Sequence, residues 1–538
     1  MAKYTRANAW NQGGTFSNPD LLWYAKAVGE MQSRKLDDPS SWWFFAAIHG
    51  QYVTPESLRD RYAFPWTDIP APPQVPTTPL PAKKVYDVYW NQCQHQSWFF
   101  LPWHRGYLLA LEAQIRAIVI KLGGPSTWAL PYWNYLGPNE EYKIPPAFTQ
   151  QSLPDGTPNP LFVNARYGPD FDGKIYVPTR DVIKKQPQDP NFGMGAVTDD
   201  SLAETPYTGG DEGIPPGFGG SPTGFSHGGG NNGAVEDNPH NPVHVYVGAH
   251  SADNRMPGVM SDPGTAALDP IFYVHHANID RLWAVWNQNA ANTNPPDPAW
   301  LNGPAVHGKD EFVMPMPDDK SWVYTPQDMT DLSALDYTYD SLPTPAQPEN
   351  LLAERLTRLG AVAAARKVTE GATVPTGKNV ELVGANQESL PIKGAGASTS
   401  VKLDAGVRNR MRASLTEASE TAPPDRVFLR LENVHGSHDA SVLSVYINLP
   451  AGAKPGDHPE LLAGTVGLFG LHSASFAEGK HGGQGLNFVL DITKIVDALH
   501  LNNALGIDSL RVSIVPVKPV PDNAQITVGR VSIYRHGQ

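Results

Sequence analysis

The spacing of apolar residues changes character along the chain and predicts a helical part followed by a β-rich part. Asn18-Pro19-Asp20 puts a capping side chain and a first-turn proline ahead of the apolar run 21–28, which predicts a first helix. Ser40-Ser41 opens the stretch 42–49, apolar nearly all round, as expected of a helix buried inside a bundle, and His49 projects from it. A third helical pattern runs from Pro102 to Leu122 and stops at Gly123-Gly124, with His104, Leu108 and Leu111 on one face. Asp269 and Pro270 read as the cap and first-turn proline of a helix reaching Trp286, which aligns His276, Asp280 and Trp283.

Between these patterns, residues 68–81 are dense in proline and predict an extended surface loop. Residues 138–233 have weak periodicity and end in glycine-rich sequence from Gly209, which predicts surface loops around a site entrance. Past Tyr337 comes a proline-rich link and an amphipathic stretch at 351–367. Period-two alternation then marks 427–432, 441–447, 486–492, 510–515 and 526–533 as half-buried antiparallel strands. The expected fold class is therefore multidomain α + β. A mainly α-helical domain (1–345) with a four-helix bundle is joined by a linker with a short helix (346–377) to an antiparallel β-sandwich (378–538).

A chain of 538 residues exceeds what one hydrophobic core usually supports, in agreement with that division. Its 49 glycines and 52 prolines, beside 40% apolar residues, point to long irregular connections around packed cores. The net charge of −13 argues against nucleic acid or anionic lipid as partners, because both require clustered Lys and Arg. The first eight residues have no apolar run behind their charges and no stretch approaches a membrane span, so the expectation is a cytoplasmic protein without a membrane partner. The single cysteine, Cys93, excludes an intrachain disulfide.

Chemistry concentrates in two histidine clusters: Cys93-Gln94-His95 running into Phe100-Leu101-Pro102-Trp103-His104-Arg105, and His240-Asn241-Pro242-Val243-His244 followed by Asp269 to His276. Neutral imidazole suits copper, zinc, iron and nickel alike, so ligand type alone does not choose the metal. His240 and His244 have the four-residue spacing of zinc proteases, but Asn241 and Pro242 stand where the general-base Glu would be. Histidine trios with neither carboxylate nor thiolate leave each ion with neutral ligands only, which suits a pair of coppers cycling between two oxidation states.

At these residues the chain resembles the tyrosinase, catechol oxidase and hemocyanin superfamily of type 3 copper proteins. The signature H-x4-F-L-P-W-H-R-x2-L-x3-E is met from His95 through His104 and Arg105 to Leu108 and Glu112, and D-P-x-F-Y-x2-H-x3-D from Asp269 through His276 to Asp280. The resemblance implies two copper ions, the first on His49, His95 and His104 and the second on His240, His244 and His276. It implies a thioether between Cys93 and His95. It also implies O2 as co-substrate and a small phenol as partner, with ortho-hydroxylation of monophenols and oxidation of o-diphenols to o-quinones. A phenol with its pKa near ~10 must lose its proton to coordinate copper well, and the resemblance gives that step to a water held by Glu236 and Asn241. The alternatives are a catechol or o-aminophenol oxidase without monophenolase activity, and a hemocyanin-like oxygen binder.

Around the ligands, Asp280 is expected to orient an imidazole through its free N–H. His275 is expected to point elsewhere on its helix, either as a hydrogen-bonded core residue or as a stacking surface for substrate. Residues 260–264 fall where the family gates substrate entry, and Pro263-Gly264 suggests an open mouth. The terminal strands resemble the β-domain that follows the catalytic domain in plant polyphenol oxidases. That domain either shields the copper site, with Leu468-Phe469-Gly470-Leu471 as a plug, or serves stability and homo-oligomer formation with the same run as ordinary core.

Overall fold

Three of the four predicted helices begin at the cap their sequence offers, and the third begins at Phe100, two residues before the expected Pro102, with no side-chain cap. Asn18 Oδ1 accepts the N–H of Asp20 at 3.0 Å and starts α1 (Pro19–Gln32). Ser41 Oγ accepts from Phe44 N at 3.0 Å and starts α2 (Trp42–His49). The long α3 (Phe100–Lys121) gives way at Leu122 to Gly123 in the left-handed region (φ 84°), where the missing Cβ is an advantage. His244 stands in α4 (Asn241–Gly248), which has Pro242 in its first turn, and His240 immediately precedes it. Asp269 Oδ1 accepts from Ile271 N at 3.0 Å at the head of α5 (Pro270–Trp286). The computed structural model describes residues 3–60, 63–185, 194–209, 215–225, 230–253, 256–304, 311–344, 379–417, 425–437, 441–477, 483–501 and 508–537.

Every residue of α5 is buried, as is every residue of α2 and α4, so α5 is the axis on which the helical core is built. An eight-residue helix is marginal by itself, and α2 and α4 are held by burial of their apolar side chains, each worth about 1.5–3 kcal/mol. Trp42, Trp103, Trp133, Trp283 and Trp286 are all at most 1% exposed and fill the space between helices. The N-terminal strand Tyr4–Arg6 pairs in parallel with Tyr337–Tyr339, so the two ends of this domain close on each other. Among the described residues no helix is long and apolar enough to cross a membrane.

The glycine-rich end of the 138–233 region departs from its expected place at the surface. Phe218 is buried and stacks on Trp286 with centroids 4.8 Å apart and planes 7° from parallel. A Cβ on Gly233 would lie 2.5 Å from Gly220 N, and one on Gly219 would run into the Tyr207 ring. These glycines let main chains touch one another and the segment that follows His95.

The C-terminal part holds β1 (Asn379–Ala385), β2 (Leu390–Pro391), β3 (Ala397–Leu403), β4 (Arg426–His435), β5 (Val442–Ile447), β6 (Leu462–Gly467), β7 (Leu486–Asp491), β8 (Ser509–Pro516) and β9 (Thr527–Gly537). The expected β-sandwich is corrected to one continuous antiparallel sheet in the order β6-β5-β8-β3-β1-β9-β4-β7, with β2 added on β9. Irregularities at Leu462/Gly464, Leu486/Phe488 and Ile533/Tyr534 tighten the twist, which curls the sheet. Its outer strands meet, since a Cβ on Gly464 of β6 would sit 2.8 Å from Leu490 of β7, and the shape is barrel-like. Val383, Val401, Leu429, Leu431, Val445, Val512 and Ile533 fill the interior. The linker 346–377, with its amphipathic stretch, lies outside the described residues.

Candidate metal centre

The four helices α2 to α5 and the loop ahead of α3 bring all six predicted imidazoles to one place. His49 ends α2, His104 sits one turn into α3, His240 and His244 flank the start of α4, His276 lies mid-α5, and His95 precedes α3. Two groups form, His49, His95 and His104 with Cys93 in one and His240, His244 and His276 with His275 in the other, and within each the nitrogens and sulfur lie within 4.8 Å of one another. The groups face each other through His104 and His276, whose rings stack 4.4 Å apart and 12° from parallel. Phe100 and Phe272 wedge the rings, Phe100 edge-on to His240 at 4.8 Å and Phe272 against His276 at 4.2 Å.

Four of the ligands are oriented by carbonyl oxygens on the far side of the ring. His49 Nδ1 lies 2.8 Å from Pro263 O, His104 Nδ1 2.7 Å from Phe100 O, His244 Nδ1 2.9 Å from Met260 O and His240 Nδ1 2.8 Å from Asn241 Oδ1. A carbonyl only accepts, so each Nδ1 carries the proton and each Nε2 turns a lone pair inward. Residues 260–264, expected to gate entry, thus supply two of these orienting carbonyls.

Burial keeps the rings neutral. Loss of solvent pushes His49 down to about 4. His104, His240, His244 and His276 are held well below the ordinary histidine range, first by loss of solvent and then by their neighbouring imidazoles.

The donor set fits a metal ion. His276 Nε2 lies 3.3 Å from both His240 Nε2 and His244 Nε2. Two nitrogens bound to one ion at about 2.0–2.1 Å with a near-tetrahedral angle stand about 3.3 Å apart. The buried Nε2 of His49 has no hydrogen-bond partner among the described residues, as befits a lone pair kept for a metal. Cys93 Sγ lies 3.5 Å from Nδ1 and 3.7 Å from Nε2 of His95, so it faces the ring carbon between them. Burial holds its thiol well above the usual range, so the sulfur is not a ready thiolate ligand.

Two expectations are corrected. Asp280 orients no imidazole; its buried carboxylate takes Arg105, Arg6 at 3.0 Å, Tyr337 at 2.6 Å and Tyr339. Burial alone would raise this carboxyl, but Arg105 and Arg6 hold it below the usual range, and the cluster ties the chain's start to α3 and α5. His275 does not point away from the site, nor is it a hydrogen-bonded core residue. Its ring stacks on His240 at 5.5 Å and meets His244 edge-on at 5.0 Å, and neither nitrogen has a hydrogen-bond partner among the described residues.

Glu236 reaches the site from the turn before α4 and accepts the N–H of Gln96 at 3.0 and 3.1 Å on its two oxygens. Burial raises its carboxyl well above the usual range. Beside the ligands lies a cavity of about 270 Å³, lined by His49, His95 and Glu236 from one domain and by Phe469, Gly470 and Ser473 from the other. The run 468–471 divides: Leu468 and Leu471 are buried in the barrel core, whereas Phe469 is buried in the helical core. Its ring stacks on His244 at 4.0 Å and meets His95 and His240 edge-on at 5.5 and 5.6 Å. Sequence reasoning missed Asp60, Asp262 and His472 beside it; their pairing joins residues up to 412 positions apart, and no local pattern marks it.

The chain is similar to known proteins along its whole length. Residues 39–289 match the family model described as the common central domain of tyrosinase, and 379–536 match one described as a domain of unknown function. Tyrosinase HcTyr1 of Hahella sp. (strain CCB-MM4) is 32% identical over 540 residues, 98% of this chain and 99% of that protein. The chloroplastic polyphenol oxidase of Malus domestica is 28% identical over 65% of this chain, which spans 54% of that protein's length. Among solved structures, latent apple tyrosinase aligns over 100% of this chain and 98% of its own with a TM-score of 0.58 at 20% identity, a likeness of fold.

Proposed function

This chain belongs to the tyrosinase family, and from that premise we propose that it oxidises phenols with O2 at a pair of copper ions, hydroxylating monophenols ortho to their oxygen and converting o-diphenols to o-quinones. The observation that supports this most strongly is the convergence of six buried imidazoles, four of them with the proton fixed on Nδ1, into two facing groups. His49, His95 and His104 would hold one copper and His240, His244 and His276 the other. When bound, the pair supplies the redox couple that passes electrons from the phenol to O2.

The surrounding residues prepare the phenol. The face of His244, where Phe469 now lies, offers an aromatic stacking surface for the ring of the substrate. Glu236, buried and more basic than an ordinary carboxylate, receives the phenolic proton on a carboxylate oxygen, directly or through one water, while the Gln96 N–H keeps it in place. Asn241 Oδ1 fixes the tautomer of His240. Phe469 closes the site in this arrangement, so the C-terminal barrel acts as a shield that must move before substrate enters.

Oxygen uptake by copper-loaded protein, measured with tyrosine and with catechol, tests the reading. Uptake with both is expected. Uptake with catechol alone would reduce the activity to that of a catechol oxidase, and uptake with neither, under conditions that displace the barrel, would rule out phenol oxidation.

A further inference from the structure

The cavity of about 270 Å³ beside the site serves the two histidine groups unequally. His49 and His95 of the first group line it, whereas none of His240, His244 and His276 contributes to its wall. His95 is 8% exposed and those three at most 1%. The same wall carries Glu56, which is exposed, and Ser57 and Asn91, which are half-buried, so the cavity leads from the surface to the first group while the barrel is docked. The second group is closed on that side. Gly467 of the barrel packs so tightly there that a Cβ on it would lie 2.8 Å from Pro242 N and 2.9 Å from the Asn241 carbonyl carbon.

The wall of the cavity suits a cation. Gln51, Thr54, Ser57 and Asn91 offer amide and hydroxyl oxygens, Glu56 offers a carboxylate, and among the described residues no Lys or Arg lines the space. Lys83, close enough to feel the charge of Glu56, is exposed and paired with Asp87 at 2.7 Å. Asp60 is engaged by His472 and is not called upon. A narrow opening with an acid at its mouth raises the local concentration of cations. Deep in the passage stands His49, whose buried Nε2 has no hydrogen-bond partner among the described residues.

We propose that this cavity is the road by which copper enters the docked protein. An ion passes Glu56, settles on His49, His95 and His104, and the second group receives its ion only through the first, across the facing pair His104 and His276, whose rings lie 4.4 Å apart. This rests on the reading of the six imidazoles as metal ligands and holds whichever phenol is oxidised. The metal and the substrate therefore have different ways in. A phenol waits for the barrel to move, and copper does not.

The test mixes the metal-free full chain with cupric ion at low ionic strength and counts bound copper after rapid gel filtration. One ion per chain is expected at least about tenfold sooner than two, and samples frozen between the two arrivals should give the paramagnetic resonance of an isolated cupric ion. Glu56→Lys, on the surface, should slow the first arrival by about tenfold, lose that effect at high salt, and leave the final count at two. His244→Ala should keep the first arrival and abolish the second, whereas His49→Ala should slow both. Two ions arriving together, a first arrival that Glu56→Lys leaves unchanged, or a second arrival untouched by His49→Ala overturns the inference. If the unaltered chain retains no copper at all, the imidazoles are not metal ligands and the inference falls with that reading.

Discussion

Phe469 lies face to face with His244, centroids 4.0 Å apart and planes 19° from parallel, although the two residues belong to different domains. On the proposed phenol oxidation, a substrate ring needs the same face. Phe469→Ala in the otherwise intact chain should therefore raise kcat/KM for a neutral catechol by about tenfold or more, equivalent to removing about 1.4 kcal/mol of competition, within the range of a stacked aromatic pair. Oxygen uptake before and after the substitution checks this. An unchanged value means the ring does not limit access.

Asn241 holds the Nδ1 proton of His240 at 2.8 Å, and Glu236 lies four residues before His240. Replacing Asn241 by Ala frees the ring to rotate and loosens the place where the phenolic proton is handed over. Monophenol turnover should fall by about a hundredfold, the lower end of what proton transfer contributes, with diphenol turnover reduced much less. Initial rates on tyrosine and on catechol decide it. Equal losses would falsify the division of labour between binding and deprotonation.

Cys93 Sγ stands nearly equidistant from the two ring nitrogens of His95, which leaves the carbon between them as the atom it faces. Joining sulfur to that carbon removes one hydrogen from each, with O2 at the copper site as oxidant. Peptide mass spectrometry of protein exposed to copper and air should find the segment around Cys93 lighter by two hydrogens and inert to alkylating reagents. A thiol that alkylates fully after unfolding excludes the link.

Asp237, next to Glu236, is buried, and burial raises its carboxyl to about 7 although Asn232 Nδ2 donates to it at 2.7 Å. A carboxyl raised on folding binds more protons in the native state than in the unfolded chain between about 4 and 7. Its stabilising contribution is thus complete below the unfolded pKa of about 4 and is lost as pH rises toward 7, at up to ~1.4 kcal/mol per pH unit. Asp237→Asn, which keeps the acceptor oxygen, should raise Tm at pH 7 and flatten the dependence of Tm on pH across that window. A parallel shift at every pH would assign the effect to packing alone.

The helices and ligands were legible because their signals are local. Asn18, Ser41 and Asp269 cap the helices that their sequence announces, and the spacing from His95 to His104 and from Asp269 to His276 survives folding unchanged. Five strands were legible by alternation. The strands Asn379–Ala385, Leu390–Pro391, Ala397–Leu403 and Leu462–Gly467 were not, being short or rich in small and polar residues. Closure of the sheet was hidden because it depends on bulges and pairings between distant strands. Asp280 misled for a related reason: one turn from His276 it resembles a partner for the ligand, but Arg6, 274 residues away, and Arg105, 175 residues away, claim it.

Leu468 and Leu471 are rooted in the barrel's interior while Phe469 between them belongs to the helical interior. Such a residue cannot be withdrawn by the swing of a flexible loop, because its immediate neighbours are fixed on the other side. If that ring is to leave the face of His244, the barrel has to back away as a unit. Conditions that loosen the seam between the domains should thus bring chains into activity one by one, each fully shut or fully open, with no graded intermediate opening.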